Sequence, residues 1–121
     1  METRNPVMFL FFKDRSGNIK RSLNLRFENC LDEIGYRGRA PSGKETYETL
    51  LNQKNCDLAA IIVNWDHPDL EDIMKLKETN YPDVPVIFHY NKGSQDESKN
   101  EAAKYHVKYE IEKSEINKKI V

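Results

Sequence analysis

Neither sign of charge dominates this chain: 19 Lys and Arg side chains against 20 Asp and Glu leave a formal net charge of -1. That balance removes the electrostatic case for a nucleic-acid partner or an anionic membrane surface. Long apolar runs are missing too. The run near the amino terminus, Val7 to Phe12, falls far short of a membrane span or a secretory signal. Cysteine is scarce, and Cys30 and Cys56 lack metal-ligand spacing, so they read as reduced thiols of a cytoplasmic protein. His67, His89 and His106 fall in separate segments without paired ligand spacing, and His89, inside an apolar run, reads as a core or rim residue. No Ser–His–Asp or Cys–His arrangement can be assembled. Repeats, low-complexity tracts and linkers are also lacking, and the 121 residues are read as one domain, 1–121, long enough to bury a core.

What is present is a regular alternation of strand and helix signals. Val7 to Phe12 reads as a first buried strand and Lys13 to Asn18 as the loop after it. Ile19 to Ile34 carries Leu23, Phe27, Leu31 and Ile34 at helical spacing, closed by Gly35. Tyr36 to Ala40 is a weak second strand, interrupted by Gly38. Ser42, with Glu45 three residues on, reads as a capping box opening a second helix. Leu58 to Val63 is a third strand, Asp69 to Glu78 a third helix, and Val84 to Tyr90 a fourth strand. A polar loop, Asn91 to Ser98, precedes a short helix around Glu101 to His106. Tyr109 to Glu112 is a fifth strand, and Ser114 opens a last helix. Strands alternating with helices predict a parallel five-stranded sheet with helices on both faces.

One motif suggests a nucleotide enzyme and fails on its own chemistry. Gly38 to Lys44 spells GxxxxGK, but Glu45 stands where a phosphate loop needs Ser or Thr for Mg²⁺, and its carboxylate would repel phosphates. Pro41 also removes a backbone donor from any cradle. The capping box accounts for the same residues.

The most pointed stretch is Asp57 to Leu70. In open α/β sheets chemistry gathers at the carboxyl ends of strands, and here the apolar run ends in the amide of Asn64, with Pro68 four residues on. Several motifs, in order and over essentially the whole chain, resemble the receiver domain of two-component response regulators: Ser42-Gly43-Lys44-Glu45 before a helix, the Asn64-to-Pro68 spacing, Pro85-Val86-Ile87, Ala102, and Ile111-Glu112-Lys113. The resemblance implies a flavodoxin-like three-layer sandwich.

The departures from that pattern set the functional expectation. Phosphotransfer to such a site needs a carboxylate nucleophile and a bound cation. The phosphoacceptor position is Asn64, whose amide is no nucleophile. The acidic pair is reduced to Lys13-Asp14, Tyr90 replaces the Ser or Thr that holds the phosphoryl group, and Glu110 (or Tyr109, with the register moved by one) takes the aromatic switch position. Asp14 and Lys113 stand in place. Asp66 is a displaced acid two residues past Asn64; with Asp14 it forms a remnant acidic site, too poor in oxygen ligands for more than weak Mg²⁺ binding. Trp65 either covers the vacant pocket or anchors a partner.

The expectation is a degenerate receiver: not an enzyme, without a cofactor, with Tyr90 filling the vacant pocket, binding a protein partner through a fixed surface and neither nucleic acid nor membrane. The alternatives are the amino-terminal regulatory domain of a longer response regulator or transcription factor, and a divergent receiver phosphorylated at Asp66. Oligomeric state is not legible.

Overall fold

The computed structural model describes residues 6–42, 44–53, 56–91 and 93–112. They form β1 (Val7–Phe11), α1 (Arg21–Glu33), β2 (Arg37–Arg39), α2 (Tyr47–Leu51), β3 (Leu58–Asn64), α3 (Leu70–Asn80), β4 (Val86–Tyr90), α4 (Gln95–Lys104) and β5 (Tyr109–Glu112). The expected last helix and Lys113 lie outside the described residues.

All pairings are parallel, in the order β2-β1-β3-β4-β5. The chain reverses direction across the sheet between β1 and β3, which makes that junction the topological switch point. Buried on both faces, the central strands are continuous apolar runs: Phe9, Leu10, Ile61, Val63 and Phe88 are all fully buried. Alternation along each strand feeds two cores. One face joins Phe9, Phe11, Ile61, Val63 and Phe88 to Leu50 and Leu51 of α2, Leu70 and Ile73 of α3, and Ala102 of α4. The other joins Leu10, Phe12, Ile62 and Ile111 to Leu23, Phe27, Cys30 and Leu31 of α1. This is the flavodoxin-like three-layer sandwich.

Four elements start two residues or more from the sequence expectation, each for a local reason. Ile19 is drawn into an antiparallel bridge with Lys13, so α1 starts two residues later, at Arg21. Ser42 does meet Glu45, its N–H and hydroxyl both donating to Oε1 at 3.2 Å, but this closes a turn. The helix begins beyond it at Tyr47, with Thr46 at its cap and the Thr46 N–H donating to Thr49 Oγ1 at 3.1 Å. β4 starts at Val86, after Pro85, which has no N–H to give the ladder. Finally, α4 begins at Gln95, well before Glu101, inside the stretch read as loop; Asp96 and Glu97 in its first turn suit the helix dipole.

Gly38 explains why so short a β2 is tolerated. A Cβ there would lie 3.0 Å from Leu10 Cδ1 and 3.2 Å from Glu28 Cα, so only glycine lets α1 pack this close to the strand.

Candidate functional site at the carboxyl ends of the strands

The sheet order brings the end of β1, the end of β3 and the loops after them together at the switch point. Asn64 sits there with its side chain fully buried. Its Oδ1 accepts the Lys13 N–H at 3.0 Å, and its Nδ2 donates to the Lys13 carbonyl at 2.6 Å and to Asp66 Oδ1 at 2.7 Å. The amide thus clamps the β1–α1 loop to the β3–α3 loop, and its donor edge is what a carboxylate could not replace, having no N–H to offer the Lys13 carbonyl. An amide oxygen carrying no charge and already bonded is not a nucleophile.

Of the two acids expected beside it, Asp66 stays against Asn64 and Asp14 turns to its own loop. Asp14 Oδ1 accepts the N–H groups of Ser16 and Asn18, both at 2.9 Å, and so shapes its own Asp14–Asn18 turn, with Gly17 at φ +86°. The Asn18 N–H bond, joined by that of Ser16, holds the Asp14 carboxyl below its ordinary range. Asp66 receives the Asn64 amide and lies 3.6 Å from the Arg15 guanidinium, which in turn stacks 5.5 Å from the Trp65 ring centroid. Asp14 Oδ1 thus serves its own loop, and Asn64 Nδ2–H stands against Asp66 Oδ1. Among the described residues no cluster of three or more His, Cys, Asp and Glu is placed to hold a metal ion.

Tyr90 ends β4 one residue beyond His89, the register partner of Asn64, and is buried. Glu110 pairs in register with Phe88 and is half-buried; its Oε1 accepts the Ser98 hydroxyl at 2.7 Å, tying β5 to α4. Tyr109, the alternative switch residue, is 57% exposed and does not enter the site. Lys113 lies outside the described residues. In the false phosphate loop, Glu45 Oε2 is ion-paired to Arg39 at 2.7 Å while Oε1 serves Ser42, so that carboxylate is a structural tie.

The sequence reading set His67 aside as a metal ligand and gave it no other role. It is 6% exposed, and its Nδ1 accepts the N–H of Asp69, the residue capping α3. Burial, against the opposing pull of Asp69, lowers the imidazole to about 4, so it is neutral at physiological pH. The local signal was present: His67-Pro68-Asp69 at a helix start offers a side-chain acceptor two residues before the cap. Arg15 was also missed, and no local signal links it to Asp66.

No family model matches this chain, and no curated protein matches it. Solved structures do. Full-length FixJ from B. japonicum superposes with a TM-score of 0.65 at 14% identity, over 92% of this chain and 51% of that one, so the chain spans about half the length of FixJ. The non-phosphorylated HemR receiver domain from Leptospira biflexa gives 0.61 at 17% identity, over 89% and 82%. An adenylate cyclase from Rhodopirellula baltica gives 0.62 at 15% identity, over 96% and 84%. Identities this low carry the fold and leave function to the site; the fold of this chain is that of a response-regulator receiver domain.

Proposed function

We propose that this chain is a receiver-like signalling module that works without phosphorylation and acts by binding a protein partner. The observation that supports this most is the buried Asn64 amide, bonded on both edges to Lys13 and Asp66. A site built around an amide offers no acyl-phosphate acceptor, and the Asn64 clamp fixes the loops that such chemistry would move. The Ser98–Glu110 bond adds a second tie between α4 and β5. The module is not an enzyme, needs no cofactor, and binds neither nucleic acid nor membrane; among the described residues no helix is long and apolar enough to cross a membrane. Two free thiols suit a cytoplasmic setting. Phosphorylation at Asp66 is the weaker reading, because that carboxylate is held by Asn64 and Arg15. A place in a longer regulatory protein gains support from the match to half of FixJ.

The test is to titrate Mg²⁺ with acetyl phosphate, and separately with beryllofluoride, while following intact mass and Trp65 fluorescence. We expect no phosphoryl mass gain and no saturable fluorescence change, in the wild type and in Asn64→Asp alike. A phosphoryl adduct on the wild type, or a saturable Trp65 response, would overturn the reading.

A further inference from the structure

At the amino ends of β4 and β5, the opposite end of the sheet from Asn64, lies a cleft of about 530 Å³. It is lined by the end of α3, the segment 82–86 that leads into β4, and the turn from α4 into β5. Its size is that of a small-molecule site, and Met74, Val84, Val107 and the ring of Tyr109 give it apolar surface.

Its charged groups differ in burial. Lys77, in the last turn of α3, has a side chain only 10% exposed. Its ammonium stands between the Pro82 carbonyl, to which it donates at 3.1 Å, and Glu78 Oε2, 3.7 Å away. Both of those residues line the cleft, so the ammonium is at its wall. An ammonium has three donors, and among the described residues the Pro82 carbonyl is its one hydrogen-bond partner; Glu78 stands beyond bonding distance with a side chain 75% exposed. A buried cation so supplied is short of an anion. The other charges of the lining, Glu78, Asp83 and Lys108, belong to exposed residues that water screens, so the cation governs the interior. His106 adds a donor to the lining from a strained position. It stands at φ +58° just past α4, where the Val107 N–H closes the helix on the Ala102 carbonyl at 2.7 Å. Glycine is the unstrained residue at such a helix end, yet the chain carries an imidazole there.

We propose that this cleft binds an organic carboxylate with an apolar body, its carboxylate pairing with Lys77 Nζ and its body lying against Met74, Val84 and Tyr109. The incoming carboxylate takes the place that Glu78 holds at long range, and that exposed side chain swings into water. An uncharged head group offers the ammonium less, and a cation is repelled by it. A phosphate brings more negative charge against Glu78 and Asp83, which favours a single carboxylate. The site is independent of the partner-binding reading above: it is measured on the chain alone, so either can fail without the other.

The probes are benzoate, standing for a free acid, and N-acetylphenylalanine, standing for the end of a peptide, with benzamide as the uncharged isostere. Each is titrated into the ¹⁵N-labelled chain at constant pH and ionic strength and followed by amide NMR shifts. We expect saturable shifts centred on Lys77, Val84, His106 and Tyr109, with a midpoint on the order of 10 mM for benzoate. Either acid binding there supports the site, and the tighter of the two names the source. Benzamide should bind about tenfold more weakly than benzoate, and Lys77→Met should weaken benzoate by about the same factor. Glu78→Gln, at an exposed side chain, should strengthen benzoate by about threefold, and it carries the test if Lys77→Met does not fold. His106→Gly should stabilise the fold while weakening benzoate by about threefold, which a purely structural histidine would not do. Shifts that do not saturate, benzamide binding as well as benzoate, or affinity unchanged in Lys77→Met or in Glu78→Gln would each overturn the proposal and leave Lys77 as a tie to the Pro82 loop.

Discussion

Replacing Asn64 by Asp is the smallest change that would put a carboxylate at the strand end, and the geometry makes it costly. The new oxygen would face the Lys13 carbonyl and Asp66 Oδ1, where Nδ2 now donates at 2.6 and 2.7 Å. Losing two donors and burying an unpaired charge should destabilise the fold by roughly 3–5 kcal/mol at pH 7. The deficit should shrink towards pH 5, because burial raises the new carboxyl's pKa and the neutral acid is tolerated there. Urea unfolding of wild type and variant at both pH values measures this, and a pH-independent deficit would contradict it. His67 provides the opposite titration in the wild type. Its folded pKa, about 4, is below the ordinary 6.5, so the unfolded chain binds more protons between those values. Its contribution is complete above pH 6.5 and declines as pH falls towards 4, by about 3 kcal/mol. In His67→Asn, whose side-chain oxygen can still accept the Asp69 N–H, the stability lost between pH 7 and 4 should be smaller by about that amount. The presence of Asn64 at the strand end was legible in the sequence. Its bonding partners were not, because Lys13 lies 51 residues away and a backbone acceptor leaves no sequence pattern.

At the scale of elements, the legible parts were those with strong periodicity. β3 and β5 match the reading within a residue, and α1 ends at the expected glycine, Gly35, at φ +87°. The misplaced boundaries lie where local chemistry offers two answers. Ser42-x-x-Glu45 has the form of a helix cap yet closes a turn, and Thr46 caps the helix instead. α4 was misread because its first turns are almost wholly polar, with Ser98 the buried residue there, so apolar spacing had nothing to register. Gly38 looked like a defect in β2 and is the contact point of α1. Gly38→Val should therefore force α1 off the strand and destabilise the fold by about 1–3 kcal/mol, as overpacking does. Gly35→Ala, by contrast, meets open space but strains a left-handed backbone, for about 1 kcal/mol. Chemical denaturation of both variants checks the order, and a Gly38→Val variant as stable as wild type would mean α1 can shift freely.

For the molecule as a whole, the parallel order followed from the alternation of elements. What the sequence could not show is that the two ends of the site are tied across the sheet. Asn64 joins the loops after β1 and β3, Arg15 joins them again through Asp66 and Trp65, and Ser98 joins α4 to β5 through Glu110. A two-state switch requires an element with two arrangements of similar free energy. These ties all favour one arrangement, and the two Asn64 bonds to the Lys13 backbone are largely removed from water, where each such bond contributes about 0.5–1.5 kcal/mol. The fixed-surface reading thus makes a dynamic prediction. Relaxation dispersion on the wild type should find no microsecond-to-millisecond exchange at residues 64–68, at Tyr90 or at Glu110, the timescale on which switching would occur. Asn64→Ala removes the clamp, and exchange should then appear in residues 13–18 and 64–68 first, because those loops lose their shared anchor while the Ser98–Glu110 tie remains. Exchange already present at Tyr90 and Glu110 in the wild type would mean that a second arrangement is populated and that the surface around α4 and β5 is switched rather than fixed.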